Sequence, residues 1–166
     1  MQGCEADVQT LSTFAALAAA HVHLGEMFAA HQEALLRLDT LGALERLVDF
    51  TAELEAHMRV EEDVLLPFYA REPRERRWAP EVFVGEHRRI LRLLGRARSA
   101  VQGLAGDPRS LRRAVLAVLE REWLVKRLIE HHIEREERVL YPALDRMIEP
   151  LQRAEIIRRC LRADRP

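Results

Sequence analysis

Two eleven-residue segments of the chain repeat each other. Residues 57–67 read HMRVEEDVLLP and residues 132–142 read HIEREERVLYP, so histidine, the glutamate pair, valine, leucine and proline recur in identical register. The spacing His-x-x-x-Glu places the two side chains one turn apart on one face of a helix. In both segments that face also carries the apolar residues. Any fold of this chain therefore has to bury two histidines and two glutamates on helices.

Apolar residues recur at helical spacing almost everywhere, and no stretch alternates with the period of two that a strand needs. Four amphipathic helices with short connections predict an all-α fold, an up-down-up-down four-helix bundle. We predict this bundle over residues 8–148 and a short, largely helical C-terminal tail over 149–166. The predicted boundaries are a first helix over Val8–Leu38, an N-cap at Asp39-Thr40, a third helix from Pro80 to the Gly103–Gly106 stretch, and a fourth helix after Asp107-Pro108.

Charge and cysteine content limit the partners, the kinds of site and the cellular compartment that we expect for this chain. A formal net charge of -1 gives no overall field towards nucleic acid or anionic lipid. The two cysteines, Cys4 and Cys160, belong to no CxxC pair, so we expect neither a thiolate zinc site nor a disulfide scaffold, and a cytoplasmic location. The apolar stretch Leu11–Ala20 has no basic residue before it and is shorter than the ~20 residues of a membrane span, so we interpret it as a buried helix rather than a signal peptide.

A second correspondence links the other two helices. His21 and His87 are each followed by apolar residues three and seven positions later. The chain therefore has the pattern of a duplicated helical hairpin, with one histidine on the first helix and a His/Glu pair on the second.

The positions of the histidines along the helices indicate which of them can lie at the same level of the bundle and belong to one site. His57 lies 17 to 18 residues after the first turn, and His21 lies 18 residues before it, at the same height. His31 lies only about eight residues from that turn, roughly 15 Å lower at 1.5 Å per residue, and is kept as a candidate for a contact around the site. In the second hairpin His87 lies about 18 residues before the turn and His132 about 26 after it, so the fourth helix must begin lower than the third ends.

The burial of two carboxylates is the physical argument for a metal. A buried carboxylate costs several kcal/mol unless something compensates it, and two close together also repel. Two cations remove this cost, because each carboxylate can bridge both ions while imidazoles fill terminal positions. An oxo or hydroxo bridge would then leave an open position on each ion for a small ligand. Nitrogen and oxygen donors suit iron, manganese or zinc, and adjacent ions in a dry cavity favour two iron ions. The predicted ligands are His21, His57, Glu61, His87, His132 and Glu136.

These residues resemble the hemerythrin-like family, also called HHE cation-binding domains, across about residues 10–146. A histidine, an HxxxE pair, a second histidine and a second HxxxE pair match that family's pattern at the six predicted ligands, and the EExxLxP signature follows twice. The resemblance implies a four-helix bundle with a carboxylate-bridged di-iron centre. Roles known in the family are oxygen carriage or sensing, iron sensing, and repair of iron-sulfur centres under nitrosative stress.

The sequence also departs from members of that family. Oxygen-carrying members have a fifth histidine one turn after the third-helix ligand, where this chain has Leu91. The iron-sulfur repair members carry an additional N-terminal domain with a cysteine, whereas only about ten residues, Cys4 among them, precede the predicted bundle. The ExxH pairing of ferritin-like di-iron proteins is absent.

We therefore expect a protein that binds dioxygen or nitric oxide, or that senses iron or redox state, rather than an enzyme. Two alternatives stay open. The same centre could act as an enzyme or repair factor on peroxide or nitric oxide, or the metal, for example zinc, could be purely structural. Around the predicted ligands, Glu53 is a candidate to orient the ring of His57. Glu62 and Glu137 rotate off the face of the ligands and are expected to be solvated, with contact to the ligand residues as the lesser alternative. Tyr141 is expected to serve in packing or at an interface.

Overall fold

The computed structural model describes residues 13–71 and 77–163, and all regular structure within these ranges is helical. A 3-10 turn, Phe14–Leu17, leads into the first helix. The helices are α1 (Ala18–Leu36), α2 (Thr40–Val60), α3 (Leu66–Tyr69), α4 (Pro80–Gln102), α5 (Pro108–Arg135), α6 (Tyr141–Met147) and α7 (Pro150–Ala163). This confirms the all-α class that the periodicity predicts. None of the helices in the described ranges has the length and apolar character to cross a membrane.

Local sequence signals determine where the helices begin and end. The Asp39 carboxylate accepts a hydrogen bond from the Gly42 N–H at 2.9 Å and so caps α2. A Cβ at Gly42 would lie 2.2 Å from the Asp39 carboxylate, which is why glycine stands there. At the start of α5, Asp107 accepts from two backbone N–H groups and Pro108 takes the first position. The predicted N-caps at Asp39 and Asp107 and the start at Pro80 are therefore confirmed.

The first helix differs from its predicted bounds. It ends at Leu36, two residues early, because Leu38 takes a left-handed conformation with φ of 61° and the Asp39 N–H then reaches back to the Ala34 carbonyl. The predicted start at Val8 lies outside the described residues, but a continuous helix from there is wrong, because Thr13 is extended (φ -138°, ψ 155°) and the α-helix begins only at Ala18, after the 3-10 turn.

The four long helices pack in a ring. α1 lies against α2, α2 against α4, α4 against α5, and α5 closes the ring on α1. Their apolar faces form one core cluster, which includes Leu35, Leu47, Phe50, Ile90 and Leu94. The alternating up-and-down order of these helices stays a prediction.

A second apolar cluster lies beyond the first, where the 3-10 turn meets α3, α6 and α7. Phe14, Tyr69 and Phe83 are fully buried there, and α7 contributes Ile157 and Cys160. The segment predicted as a tail is thus a helix packed into this cluster, against the 3-10 turn and α2.

Two π-helical turns interrupt the regular helices, Glu61–Leu65 between α2 and α3 and Glu136–Leu140 between α5 and α6. Both begin at the glutamate of a repeated segment. In each turn the closing N–H donates to the carbonyl five residues back, from Leu66 to Glu61 and from Tyr141 to Glu136. A proline follows immediately in both cases and has no N–H with which to continue the four-residue ladder. The periodicity alone predicted uninterrupted helices here.

The unequal heights in the second hairpin are resolved by the length of α5. His132 lies 24 residues after Pro108, whereas His87 lies 15 residues before Gln102. The nine-residue difference amounts to roughly 14 Å of helix. The five residues of Gly103–Asp107 can span about 17 Å when extended, so α5 begins below the end of α4, as the sequence requires.

Candidate metal centre

The structure brings all six predicted ligands together in the interior. They form two overlapping groups in which one nitrogen or oxygen atom from each residue lies within 4.8 Å of the others. Glu61 and Glu136 belong to both groups, which is the arrangement expected of two bridging carboxylates. One group adds the pair His21 and His57, and the other adds the pair His87 and His132.

The long helices deliver these side chains at one height, between the two apolar clusters. On α1, for example, His21 stands between Leu17 of the second cluster and Leu24 of the first. On α4, His87 stands likewise between Phe83 and Ile90. Apolar side chains therefore cover the six groups on both sides and keep their surroundings dry.

Each glutamate contacts histidines of both hairpins. The Nε2 atom of His57 lies 2.9 Å from Glu61 Oε1, one turn along the same helix, while His87 Nε2 approaches Glu61 Oε2 at 3.2 Å. Glu136 repeats the pattern, with His132 Nε2 at 2.9 Å from Oε1 and His21 Nε2 at 3.2 Å from Oε2. Glu61 therefore links its own helix to α4, and Glu136 links its own helix to α1.

The carboxylate oxygens of this cluster lack well-formed hydrogen bonds. All four oxygens of Glu61 and Glu136 are buried and accept no hydrogen bond from the described residues. Buried polar atoms in native proteins normally have a partner, and leaving a charged one without any costs more than losing a neutral bond. The oxygens face imidazole Nε2 atoms, which is the set of donors that divalent iron, manganese or zinc binds. The residues present therefore fit a pair of cations.

One further distance fits the same interpretation. The Nε2 atoms of His87 and His132 lie 2.9 Å apart. Two nitrogens that bind one metal ion at ~2.1 Å and at right angles are about 3 Å apart. The two rings are therefore already at the separation of neighbouring ligands.

A second layer of carboxylates holds the outer nitrogen of three histidine rings. The distances from Nδ1 to the carboxylate oxygen are 3.0 Å for His21 with Glu137, 2.7 Å for His87 with Glu62, and 3.0 Å for His132 with Glu86. A carboxylate at Nδ1 keeps the proton on that atom, so Nε2 is directed into the cluster as a free electron pair. These contacts orient the rings as metal-binding histidines are usually oriented.

The expectation that Glu62 and Glu137 are merely solvated was wrong. Their side chains are partly exposed, at 37% and 42%, yet each reaches across to a histidine of the other hairpin. The repeated Glu-Glu pair was the available signal, since the second glutamate recurs in both segments as faithfully as the first. Glu86 lies outside the repeated segments, so the sequence offered no signal for it. Its ion pair with Arg135, at 2.8 Å, forms because α4 packs on α5.

His31 does not belong to the surroundings of the centre, contrary to its candidacy. Its Nδ1 atom donates to the Ala43 carbonyl at 2.7 Å, and its Nε2 lies 2.8 Å from Glu122 Oε1. Both ring nitrogens are thus engaged elsewhere, ten residues along α1 from His21. Glu122 is fully buried and was not predicted, because it belongs to no repeated segment and to no His-x-x-x-Glu pair.

Glu53 lies with its Oε2 atom 3.1 Å from His23 Nε2, in an exposed contact between α1 and α2. Its predicted role in orienting the His57 ring stays a prediction.

Tyr141 lies directly beside the cluster. Its hydroxyl oxygen is 3.3 Å from His21 Nε2, and the two rings stack with centroids 6.0 Å apart and planes 7° from parallel. Burial, together with the carboxylates of Glu136 and Glu61, raises the pKa of Tyr141 well above its usual value. The phenol therefore keeps its proton and is a hydrogen-bond donor at the edge of the site.

Burial and neighbouring charges shift the pKa of several members of the cluster. Burial raises the pKa of Glu61, but the adjacent histidines, above all His57, outweigh burial and hold this pKa well below its usual value. Burial lowers the pKa of His132, while Glu136 and other carboxylates raise it more strongly, to well above its usual value. The pKa of His21 is raised in the same way against burial. In the absence of a cation, the cluster therefore compensates its carboxylates by retaining protons on histidine.

Comparison with known proteins adds one match. A family model described as the hemerythrin HHE cation binding domain matches residues 12–144, and matches again over residues 79–164. The first match alone contains all six residues of the cluster. No curated protein and no solved structure shows significant similarity to the chain.

Proposed function

The chain belongs to the hemerythrin family of HHE cation-binding domains, and we propose that it holds two iron ions between its six buried His and Glu side chains. The proposed task of this centre is to bind dioxygen or nitric oxide, or to respond to iron or redox state. A reducing cytoplasm is the proposed setting.

The single observation that carries the proposal is the excess of acceptors in the cluster. Four buried carboxylate oxygens have no hydrogen-bond donor in the described part of the chain, although each faces an imidazole. Several kcal/mol per ion would be lost if these charges stayed uncompensated. A pair of cations shared by Glu61 and Glu136 removes that cost for both residues at once.

The chain's own groups have separate tasks in this proposal. Bound iron would supply a redox-active position at which a diatomic molecule can bind. His21, His57, His87 and His132 hold the ions as neutral terminal ligands, and Glu137, Glu62 and Glu86 keep the proton of three of these rings on Nδ1. The two apolar clusters exclude bulk water.

The two metal positions have equal sets of protein ligands. Each group contains two histidines and the two shared glutamates. Leu91, where oxygen carriers have a further histidine, is partly buried against the first core cluster and offers no ligand atom. Both ions would therefore have room for a small molecule, in contrast with the asymmetric centre of the carriers.

Metal analysis with an ultraviolet-visible spectrum tests the proposal. Wild-type protein purified in air should contain about two irons per chain and absorb in the near ultraviolet, where ferric carboxylate pairs absorb. The variant Glu61→Ala/Glu136→Ala should lose both the iron and the absorption.

The matched control for this test is Glu122→Gln. It alters a glutamate that is equally buried but lies outside the cluster, and the amide can still bond His31 and Gln32. This control should keep its iron. Wild-type protein that stays metal-free after incubation with ferrous iron would sink the di-iron proposal.

One observation favours a second candidate, in which the same centre consumes peroxide or nitric oxide. The Tyr141 hydroxyl is a buried hydrogen-bond donor beside the cluster, 3.3 Å from His21 Nε2. Such a donor can stabilise the negative charge that develops when a bound molecule such as peroxide is cleaved. Iron-loaded protein that decomposes hydrogen peroxide, with a lower rate for Tyr141→Phe at unchanged iron content, would support this candidate. Protein that binds and releases dioxygen intact would exclude it.

A further inference from the structure

A cavity of about 220 Å³ lies between α1 and α5, the two helices that close the ring. Its walls are mostly apolar and include Leu24, Phe28, Phe50, Ile129 and Ile133. His21 also lines it, so the cavity reaches one of the six residues of the candidate metal centre.

Two small residues on α1 keep the outer side of this cavity open. Gly25 and Ala29 line it, stand one turn apart and are exposed. A Cβ added to Gly25 would meet no atom within 4 Å. Opposite them, α5 presents Lys126 and Glu130, whose opposite charges favour neither anions nor cations at this seam.

We propose that this cavity is the entrance through which a small uncharged molecule, such as dioxygen or nitric oxide, reaches the metal position beside His21. The inference rests on the proposed function. It adds the path by which the small molecule reaches the metal position and a limit on the size and charge of that molecule. Pockets for ordinary organic ligands measure roughly 300–1,000 Å³, so this cavity is smaller than such pockets and favours small molecules. An anion entering an apolar cavity loses its hydration without replacement, so uncharged molecules enter preferentially.

The variant Gly25→Leu is designed to fill the entrance. Leucine is a better helix former than glycine and its side chain has free space to occupy at this position, so we expect the variant to fold. Gly95→Leu is the matched control, because Gly95 is also an exposed helix glycine with no atom within 4 Å of an added Cβ, but it lies on α4 and does not line the cavity.

The first measurement uses metal-free protein under xenon pressure, since xenon enters dry apolar cavities. The methyl resonances of Leu24, Ile129 and Ile133 should shift in wild type and in Gly95→Leu, and should not shift in Gly25→Leu. An absence of any xenon shift in wild type would overturn the proposal. This measurement does not depend on iron, so it separates a failure of the cavity from a failure of the proposed di-iron centre, which metal analysis detects.

The second measurement is the stopped-flow oxidation of ferrous-loaded protein by dioxygen. If the cavity is the entrance, Gly25→Leu should react on the order of tenfold more slowly than wild type, because access then limits the rate, and Gly95→Leu should react at the wild-type rate. A Gly25→Leu protein that no longer admits xenon but is oxidised as fast as wild type would overturn the inference.

Discussion

Two buried clusters of histidine and glutamate lie at different heights in the bundle, one between α1 and α5 and one among all four long helices, and they satisfy their polar atoms in different ways. In the lower one, His31 donates to the Ala43 carbonyl and its Nε2 lies 2.8 Å from Glu122 Oε1, while the other oxygen of Glu122 accepts from Gln32 at 3.2 Å. Every polar side-chain atom of His31 and Glu122 has a protein partner there. In the upper one, Glu61 and Glu136 expose four buried oxygens to imidazoles with no donor for any of them.

The difference shows that burial and residue type do not by themselves indicate a metal. His31 and Glu122 are as buried as any residue of the candidate centre, but their donors and acceptors balance within the protein. The balance fails in the upper cluster because three of the histidines have outer carboxylates that hold a proton on Nδ1, away from the bridging glutamates. The inner oxygens therefore depend either on extra protons retained by the histidines, as the raised pKa values of His21 and His132 indicate, or on cations that replace those protons.

The largest effect that tests this comparison is expected from His31→Leu. Removing one partner of a buried ion pair leaves the other uncompensated, which typically costs about 3–5 kcal/mol of stability. Urea unfolding should report that loss, whereas iron content should stay unchanged, because the pair serves only the fold. The double variant His31→Leu/Glu122→Leu should recover most of the stability. A loss of iron in His31→Leu, or a double variant as unstable as the single one, would contradict the distinction.

The second-largest effect is expected in the pH dependence of stability, which should have opposite signs in metal-free and metal-loaded protein. The raised pKa values of His21 and His132 contribute stability that is complete below their ordinary value of 6.5 and is lost as the pH rises through the folded values. The lowered pKa of Glu61 contributes stability that is present above its ordinary value of 4.5 and is lost as the pH falls through the folded value. Metal-free protein should therefore become less stable on the alkaline side.

Metal binding should reverse that alkaline trend, because each imidazole must give up its inner proton to bind a cation and affinity then rises with pH. The measurement is the Tm of both forms, at fixed metal concentration, from slightly acidic to mildly alkaline pH. Curves of opposite slope above pH 6.5 are expected. Parallel curves would indicate that the cluster does not exchange its histidine protons for cations, and would contradict the comparison.

A smaller effect is expected from the outer carboxylates. Glu137→Gln and Glu86→Gln should each lower metal affinity by about 10- to 100-fold, the usual result of removing a carboxylate behind a metal-bound histidine. Competition with a chromophoric chelator measures this affinity. The control is Glu134→Gln, a partly exposed neighbour that pairs with Arg138 and touches none of the six inner residues among the described contacts. An equal loss in the control would mean that general surface charge, rather than ring orientation, is responsible.

Much of the fold and of the inner cluster could be predicted because the responsible signals are local. Asp39, Pro80 and Asp107 mark helix starts by backbone hydrogen bonding alone. The helical spacing of His87 and the apolar residues three and seven positions after it predicts one face of the third helix, and His87, Ile90 and Leu94 are indeed buried together on α4. The six inner residues were found because they repeat at fixed spacing on such stripes.

The features that escaped prediction depend on how helices face each other. Glu122 is an ordinary glutamate in α5 until His31 of α1 is placed opposite it. Glu62 and Glu137 were assigned to solvent because a regular helix turns them away from the stripe, and only the position of the other hairpin shows that they reach a histidine. The sequence contains these residues, but the distances between helices decide what they do.

The smallest effect is expected from Glu53→Ala, which tests whether Glu53 orients the His57 ring, as predicted from the sequence, or only contacts His23, as observed. Glu53→Ala removes an exposed partner of His23 and should change stability by less than ~0.5 kcal/mol, as surface substitutions usually do, with no change in metal affinity. Chemical denaturation and the same chelator competition measure both quantities. A clear loss of affinity would instead support the predicted contact with His57.

The two π turns have a consequence for anyone who would transplant this site into a designed scaffold. Each turn contains one residue more than an α-helical turn, and an extra residue in a regular helix rotates everything beyond it by about 100°. Copying the His-x-x-x-Glu spacing onto a straight helix would therefore reproduce the inner ligands of that helix but turn Tyr141 away from His21, which it now stacks against. A working graft has to carry the irregular turn and the proline behind it as one unit.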